Sequence, residues 1–132
     1  MDTTEQYIKM CEKAEEIQKE WEPDDGDCCY DKYAKLLYPF ISGDIVWHAL
    51  GDTKRERYIF LPRQDRLQEM VKDKYGQADP VGLIWALYRF AGPNRVGIAS
   101  EFRSMEQLWL AFVMSQKYGK VWNSDKEEWV EE

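Results

Sequence analysis

The sequence predicts an α+β fold: a small antiparallel sheet packed against about four helices. Three observations carry this expectation. Apolar residues recur at steps of three and four over 4–20, 63–75 and 105–118, the period of a helix with one buried face. Two shorter tracts, 44–61 and 120–130, are rich in β-branched and aromatic residues and are each interrupted by a polar turn, the pattern of a hairpin. Helices and strands do not alternate regularly, as a parallel βαβ fold requires. The chain has 132 residues, the size of one domain, and 1–132 is read as a single compact domain. With 44% hydrophobic and 33% charged residues it belongs with globular rather than disordered chains.

In the first helix, Thr4 to Glu20, the apolar stripe is Tyr7, Cys11, Ala14, Ile17 and Trp21, widened by Ile8 and Met10. Thr3 or Thr4 supplies the cap, and Glu12, Lys13, Glu15, Glu16, Lys19 and Glu20 form the solvent face. Pro23, Asp24, Asp25 and Gly26 stop the helix and turn the chain. Asp27 to Tyr30 reads as the start of a short strand, with Asp31 to Leu37 a helical turn or a loop. Gly43 to Leu50 and Arg57 to Leu61 are the two arms of the 44–61 hairpin, joined by the polar turn Gly51 to Glu56. Pro62 ends the strand and suits the first turn of the next helix, which carries Leu67, Met70, Val71 and Tyr75 on one face and stops at Gly76.

Asp79 and Pro80 are the cap and first position of a further helix. Residues 81–90 are apolar almost all round, so this helix is expected to be buried, inside one molecule or in a dimer, with a buried strand the alternative for part of it. Gly92 and Pro93 end it, and 94–103 looks irregular. Ser104 and Gln107 form a capping box for 105–118, whose wide face is Leu108, Trp109, Ala111, Phe112, Val113 and Tyr118, with Gly119 placed to close it. Val121–Trp122 and Trp129–Val130 flank the turn of the C-terminal hairpin, and Glu131 and Glu132 are expected to fray.

The net charge is −7, which opposes non-specific attraction to phosphate backbones or anionic membranes. It is unevenly placed. Residues 1–27 carry ten acidic and three basic side chains, so the rest of the chain is neutral. Within that remainder, 54–66 (KRERYIFLPRQDR) holds five basic and two acidic groups. Most charged stretches are solvated surface, but this one interleaves Arg57, Arg63 and Arg66 with Tyr58 and Phe60 and is the candidate for binding an acidic partner. The acidic helix is the other candidate contact. Among the tryptophans, Trp129 near the end of a short strand is the one expected at an interface.

Catalytic signals are sparse. No phosphate-binding loop, dinucleotide fingerprint, nucleophile elbow or paired zinc motif is present. His48, the sole histidine, has no nucleophile–base pattern around it. Cys28 and Cys29 are adjacent, so in an extended chain they face opposite ways and do not grip one metal. Asp24-Asp25-Gly26-Asp27 lacks the distal glutamate of a calcium loop and reads as an acidic turn. No cofactor, no metal and no catalytic residue is expected. The odd count of three cysteines and the charged first twenty residues point to a reducing cytoplasm, and no apolar stretch is long enough to span a bilayer.

Three segments, Tyr7–Trp21, Phe60–Val71 (FLPRQDRLQEMV) and Ser104–Trp122 (SMEQLWLAFVMSQKYGKVW), resemble small proteins encoded by bacteriophages and prophages of Gram-positive bacteria, a group without an assigned activity. The resemblance implies an origin and a host-cytoplasm setting, and transfers no catalytic residue. Together with the missing chemistry and the aromatic load, it leads to the expectation of a non-enzymatic accessory protein that binds another protein, with a homo-oligomer possible. An enzyme or small-ligand protein whose site converges only in three dimensions is the alternative. Nucleic-acid binding through 54–66 is a third reading, disfavoured by the charge.

Overall fold

The computed structural model describes residues 1–39, 54–72, 79–92 and 101–132. The expected strand 43–50 with His48, the end of the expected helix at Tyr75 and Gly76, and the stretch 94–100 lie outside the described residues. The class is α+β, with helices, a three-stranded and a two-stranded antiparallel sheet. Two compact units are distinguished: Thr3–Arg63, and Met1–Asp2 together with Gln64–Glu132.

The unit Thr3–Arg63 contains α1 (Glu5–Lys13), α2 (Glu15–Glu20), β1 (Cys28–Asp31), β2 (Leu36–Pro39), α3 (Lys54–Arg57) and β3 (Tyr58–Leu61). Thr4 caps α1, its hydroxyl accepting the Tyr7 N–H at 3.3 Å. The single helix expected over 4–20 is broken at Ala14, whose φ of −82° and ψ of 69° leave the helical region. Two bonds hold the break: the Ala14 N–H and the Gln18 side-chain Nε2 both donate to the Cys11 carbonyl, at 3.1 and 2.9 Å. The apolar stripe survives it, since Tyr7, Cys11, Ala14, Ile17 and Trp21 are all buried.

The break also brings Gln18 to β3. Its Nε2 donates to the Phe60 carbonyl at 3.0 Å, and its Oε1 accepts the Phe60 N–H at 2.8 Å. A side-chain amide thus reproduces the donor–acceptor pair of a neighbouring strand on the edge of β3. Around this bridge the Trp21 and Phe60 rings stack with centroids 4.7 Å apart and planes 1° from parallel. The Tyr7 hydroxyl donates to the Pro62 carbonyl at 2.5 Å. All four residues of β3 are buried.

The sheet order is β2-β1-β3, antiparallel throughout, with Cys29 opposite both Tyr38 and Phe60. Of the stretch 31–37, read as a helical turn or a loop, residues 32–35 form the loop that returns a β1–β2 hairpin, while Leu36 and Leu37 belong to β2. The Asp31 carboxylate accepts the N–H groups of Tyr33 and Ala34, and Lys35 adopts a φ of +57° while its N–H reaches the Asp31 carbonyl at 2.7 Å. A lysine in the left-handed region gives no glycine signal, which is why this turn escapes sequence reading. The polar turn expected over 51–56 ends in a single helical turn, α3, so Arg57 precedes the strand rather than opening it. The acidic turn at Asp24–Asp27 forms as expected. The Asp27 N–H closes it on the Asp24 carbonyl, and Gly26 supplies the φ of +86° that a type II turn needs at its third position.

The second unit contains α4 (Gln64–Val71), α5 (Pro80–Ala91), α6 (Met105–Tyr118), β4 (Lys120–Asn123) and β5 (Glu128–Glu131). Pro62 stands two residues before α4 and not in its first turn. Helix α6 is the centre of this unit. Gln107 and every residue from Trp109 to Ser115 are buried, so Leu110 and Met114 join the face expected from periodicity, whereas Leu108 and Tyr118 are half-exposed. Both α4 and α5 pack on it, with Phe90 tilted against Phe112 at 5.4 Å.

Ser104 caps α6 by accepting the Gln107 N–H at 3.1 Å. The return bond of the expected capping box goes one residue further back, from the Arg103 N–H to Gln107 Oε1 at 3.0 Å. The buried Asp2 carboxylate accepts from both the Ser104 hydroxyl, at 2.5 Å, and Gln107 Nε2, at 2.8 Å. Gly119 closes the helix with a φ of +63°, its N–H reaching the Ser115 carbonyl.

Strands β4 and β5 form a separate two-stranded sheet, with Trp122 directly opposite Trp129. Asn123 holds its turn by accepting the N–H groups of Asp125 and Lys126 at 3.0 Å each. The tail expected to fray is tied down. Glu131 lies in β5, the Glu132 N–H donates to the Gly119 carbonyl at 2.8 Å, and the Ser115 hydroxyl donates to the Glu132 carboxylate. Among the described residues no helix is long and apolar enough to cross a membrane.

Gln18→Leu keeps the volume of the side chain but leaves the Phe60 N–H and C=O without their partner. Its stability, read from the urea midpoint, is expected to fall by about 2 kcal/mol. Gln18→Glu does not rescue it, because a carboxylate oxygen then faces two carbonyls where a donor is required.

Candidate functional site

Of the basic residues singled out in 54–66, Arg57 and Arg63 are engaged within the unit Thr3–Arg63. The Arg57 guanidinium makes a bidentate contact with Asp31: Nη2 to Oδ2 at 2.9 Å, and Nε to Oδ1 and Oδ2 at 3.1 and 3.2 Å. It also lies 5.5 Å from the Tyr33 ring centre and 5.3 Å from that of Tyr58. Arg63 donates through Nη1 to the Gly26 carbonyl. A β-carbon on residue 26 would stand 2.7 Å from that same nitrogen, so the glycine also gives the guanidinium room. Arg57 and Arg63 belong to the unit Thr3–Arg63, whereas Arg66 is half-exposed on α4 of the other. Trp129, expected at an interface, is 9% exposed and meets Trp122 edge to face at 5.1 Å inside its own hairpin.

The ionisable groups that are perturbed are perturbed by structure. Asp31 is buried, and its hydrogen bonds from Arg57 hold its carboxyl below the usual carboxylate range, with further help from the Ala34 and Tyr33 N–H groups. The same bonds push the Arg57 guanidinium up. Cys28 and Cys29 alternate across β1, half-exposed and buried respectively, so the expected divergence of the two thiols holds. Burial pushes the Cys29 thiol up to about 12, reinforced by Cys28, Asp31 and Asp27, and its sulfur donates to the Tyr38 carbonyl at 3.3 Å. Burial, then Asp27, raises Cys28 as well. These shifts move thiols away from the reactive thiolate. Among the described residues no group of three His, Cys, Asp or Glu is placed to hold a metal ion. A small hollow lined by Phe90, Glu101, Phe102, Ala111, Val121 and Trp122 has about 20 Å³ of free space, room for a water molecule rather than an organic ligand.

The surface that stands out is one the periodicity assigned to the interior. Helix α5, expected to be buried, hides only Leu87 and Phe90. Its opposite face carries Val81 at 72% exposure, Ile84 at 63%, Trp85 at 59% and Tyr88 at 56%. These positions are spaced i, i+3, i+4, i+7 and form one stripe. Asp79 and Pro80 build the helix as expected, the Asp79 carboxylate accepting the Val81 N–H at 3.0 Å. The Trp85 and Tyr88 rings stack at 5.8 Å with planes 22° apart, which holds the two aromatics as one plate. Charge is missing from 80–88 altogether. That absence is the sequence signal for this face, and it predicts burial inside one molecule or in a dimer without choosing between them. A second, smaller apolar exposure lies on the β1–β2 hairpin at Tyr33, Leu36 and Leu37.

No family model matches the chain, and no curated protein and no solved structure matches it either.

Asp31→Asn keeps the acceptor for the turn and removes the charge. Because the folded carboxyl is lowered, its stabilisation is complete above the unfolded value of about 3.9 and is lost as pH falls through the folded value. The variant is therefore expected to be less stable than the parent at neutral pH, with the gap closing on acidification. A gap that persists unchanged at low pH would show that the ion pair is not its cause. A thiol-reactive disulfide reagent at mildly alkaline pH is expected to modify Cys28 first, more slowly than a free thiol, and Cys11 and Cys29 only on unfolding. Cys28→Ser removes the native-state reaction.

Proposed function

We propose that this chain is a non-enzymatic accessory protein of phage or prophage origin, working in the cytoplasm of a bacterial host through protein–protein contact, with the outer stripe of α5 as its contact face. The observation that carries the reading is the exposure of Val81, Ile84, Trp85 and Tyr88 along one helix. A solvated helix normally presents charge on its outer side, and a continuous apolar stripe there marks a surface to be covered. Trp and Tyr are the residue types that dominate binding energy at interfaces. The stacked pair loses little freedom on binding, since it is already held in the unbound chain.

The charged groups support the same reading by what they do. Asp31, Arg57 and Arg63 serve the hairpin, β3 and the acidic turn, so two of the five basic groups of 54–66 have roles in the architecture. The origin rests on the resemblance of the 7–21, 60–71 and 104–122 segments, and the compartment on three free thiols, which persist in a reducing setting.

The test compares tagged parent chain with Trp85→Glu, both expressed in a Gram-positive host and captured after cross-linking in the cell. The parent is expected in a cross-linked protein complex of defined mass, and the variant alone. Trp85 is more than half exposed, so the variant's thermal stability is expected to stay within about 0.5 kcal/mol of the parent. A complex that survives Trp85→Glu, or no complex in either sample, would remove the α5 face as the working surface.

A further inference from the structure

Resting on that reading of α5, we infer that the chain covering its outer stripe is a second copy of itself, joined in an antiparallel, two-fold symmetric pair. The stripe is divided by size. Its first half is aliphatic, Val81 and Ile84, and its second half aromatic, Trp85 and Tyr88. A two-fold axis between positions 84 and 85 sets Val81 against the other copy's Tyr88 and Ile84 against its Trp85. Each small side chain then meets a large one along the whole contact, which is how facing helices fill space. Parallel pairing would set aromatic against aromatic and leave the short side chains opposite each other.

The helix dipoles make the same choice. Antiparallel pairing sets them head to tail, whereas parallel pairing would set like ends side by side.

The area is adequate. The four side chains expose on the order of 500 Å² in each copy, so the pair covers about 1,000 Å², the threshold of a specific interface. A contact of that size, centred on Trp85, fits a reversible dimer. It also accounts for the exposure of Val81, Ile84, Trp85 and Tyr88 on a helix that carries no charge over 80–88.

The experiment is sedimentation of the purified full chain over a micromolar concentration series, for the parent, Trp85→Glu, Ile84→Glu, Val81→Tyr, and Val81→Tyr with Tyr88→Val. The parent is expected to dimerise, and each glutamate in the stripe to leave a folded monomer. Val81→Tyr is expected to weaken the dimer about tenfold by facing Tyr88 of the other copy with a second ring. Adding Tyr88→Val, which restores a small side chain against a large one, recovers part of that loss. Having the two glutamate variants keeps the test decisive if one of them fails to fold. A parent that is monomeric throughout, or a dimer indifferent to the glutamate variants, overturns the inference; a dimer weakened by Val81→Tyr and not recovered by adding Tyr88→Val overturns the antiparallel arrangement. A monomeric parent whose cross-linked complex in the host still disappears with Trp85→Glu defeats only the second copy and leaves the α5 face as the site for a different protein.

Discussion

One side chain, Gln18, takes both backbone groups of Phe60 in β3, and among the described residues of the unit Thr3–Arg63 the helix break and the aromatic packing meet at that bridge. A strand edge with an open N–H and C=O invites pairing with another chain. Gln18 takes both groups of Phe60 and the Cys11 carbonyl besides. The first helix ends at Ala14 and restarts at Glu15, so an uninterrupted period of apolar residues is housed in two helices, with Gln18 in the second. The flat Trp21–Phe60 stack and the Tyr7–Pro62 bond lie on either side of the same bridge in sequence. Helix break, edge closure and core packing are therefore one arrangement.

Polar groups elsewhere follow the same economy. Asp27 accepts from the Trp21 indole and the Asp24 N–H, both at 3.0 Å, so a buried carboxylate ties the end of the helical segment to the acidic turn. Asp31 serves a hairpin return and an arginine at once. Asp2 joins the cap of α6 to the chain's second residue, over a separation of more than one hundred positions. Each is a buried acid with donors aimed at it, the condition under which such burial is tolerated. Acidic composition near the start of the chain thus reflects internal bonding as well as a solvated face.

Helix α5 departs from that economy. Its inner side meets α6 through Leu87 and Phe90, and its outer side keeps four large apolar residues in solvent. Sequence periodicity ranks residues by polarity, and in this helix both sides are apolar, so it reports burial without saying against what. The charge-free run 80–88 and the Asp79–Pro80 start were legible; the exposure of Val81, Ile84, Trp85 and Tyr88 was not. Trp129 and Arg57 were singled out by their neighbours in sequence; the contacts they make, with Trp122 and with Asp31, lie in other elements.

What the sequence by itself determined is the class of fold and the local punctuation. Thr4, Ser104 and Asp79 cap the helices they precede, Gly119 and Gly26 adopt the positive φ their positions call for, and the stripes from Tyr7 to Trp21 and along α6 face inward. These follow from short-range rules of period, capping and backbone sterics, which need no knowledge of distant residues. Only the tertiary structure decided that β1 is the central strand between β2 and β3, that a lysine at positive φ closes its hairpin, that Gln18 breaks a helix to seal a strand, and that α5 shows an apolar face outward. The Lys35 turn apart, each depends on residues distant in the sequence or on which face of an element the folded chain leaves exposed. Pairings of that range are chosen by packing and hydrogen-bond satisfaction in three dimensions rather than by the order of residues along the chain.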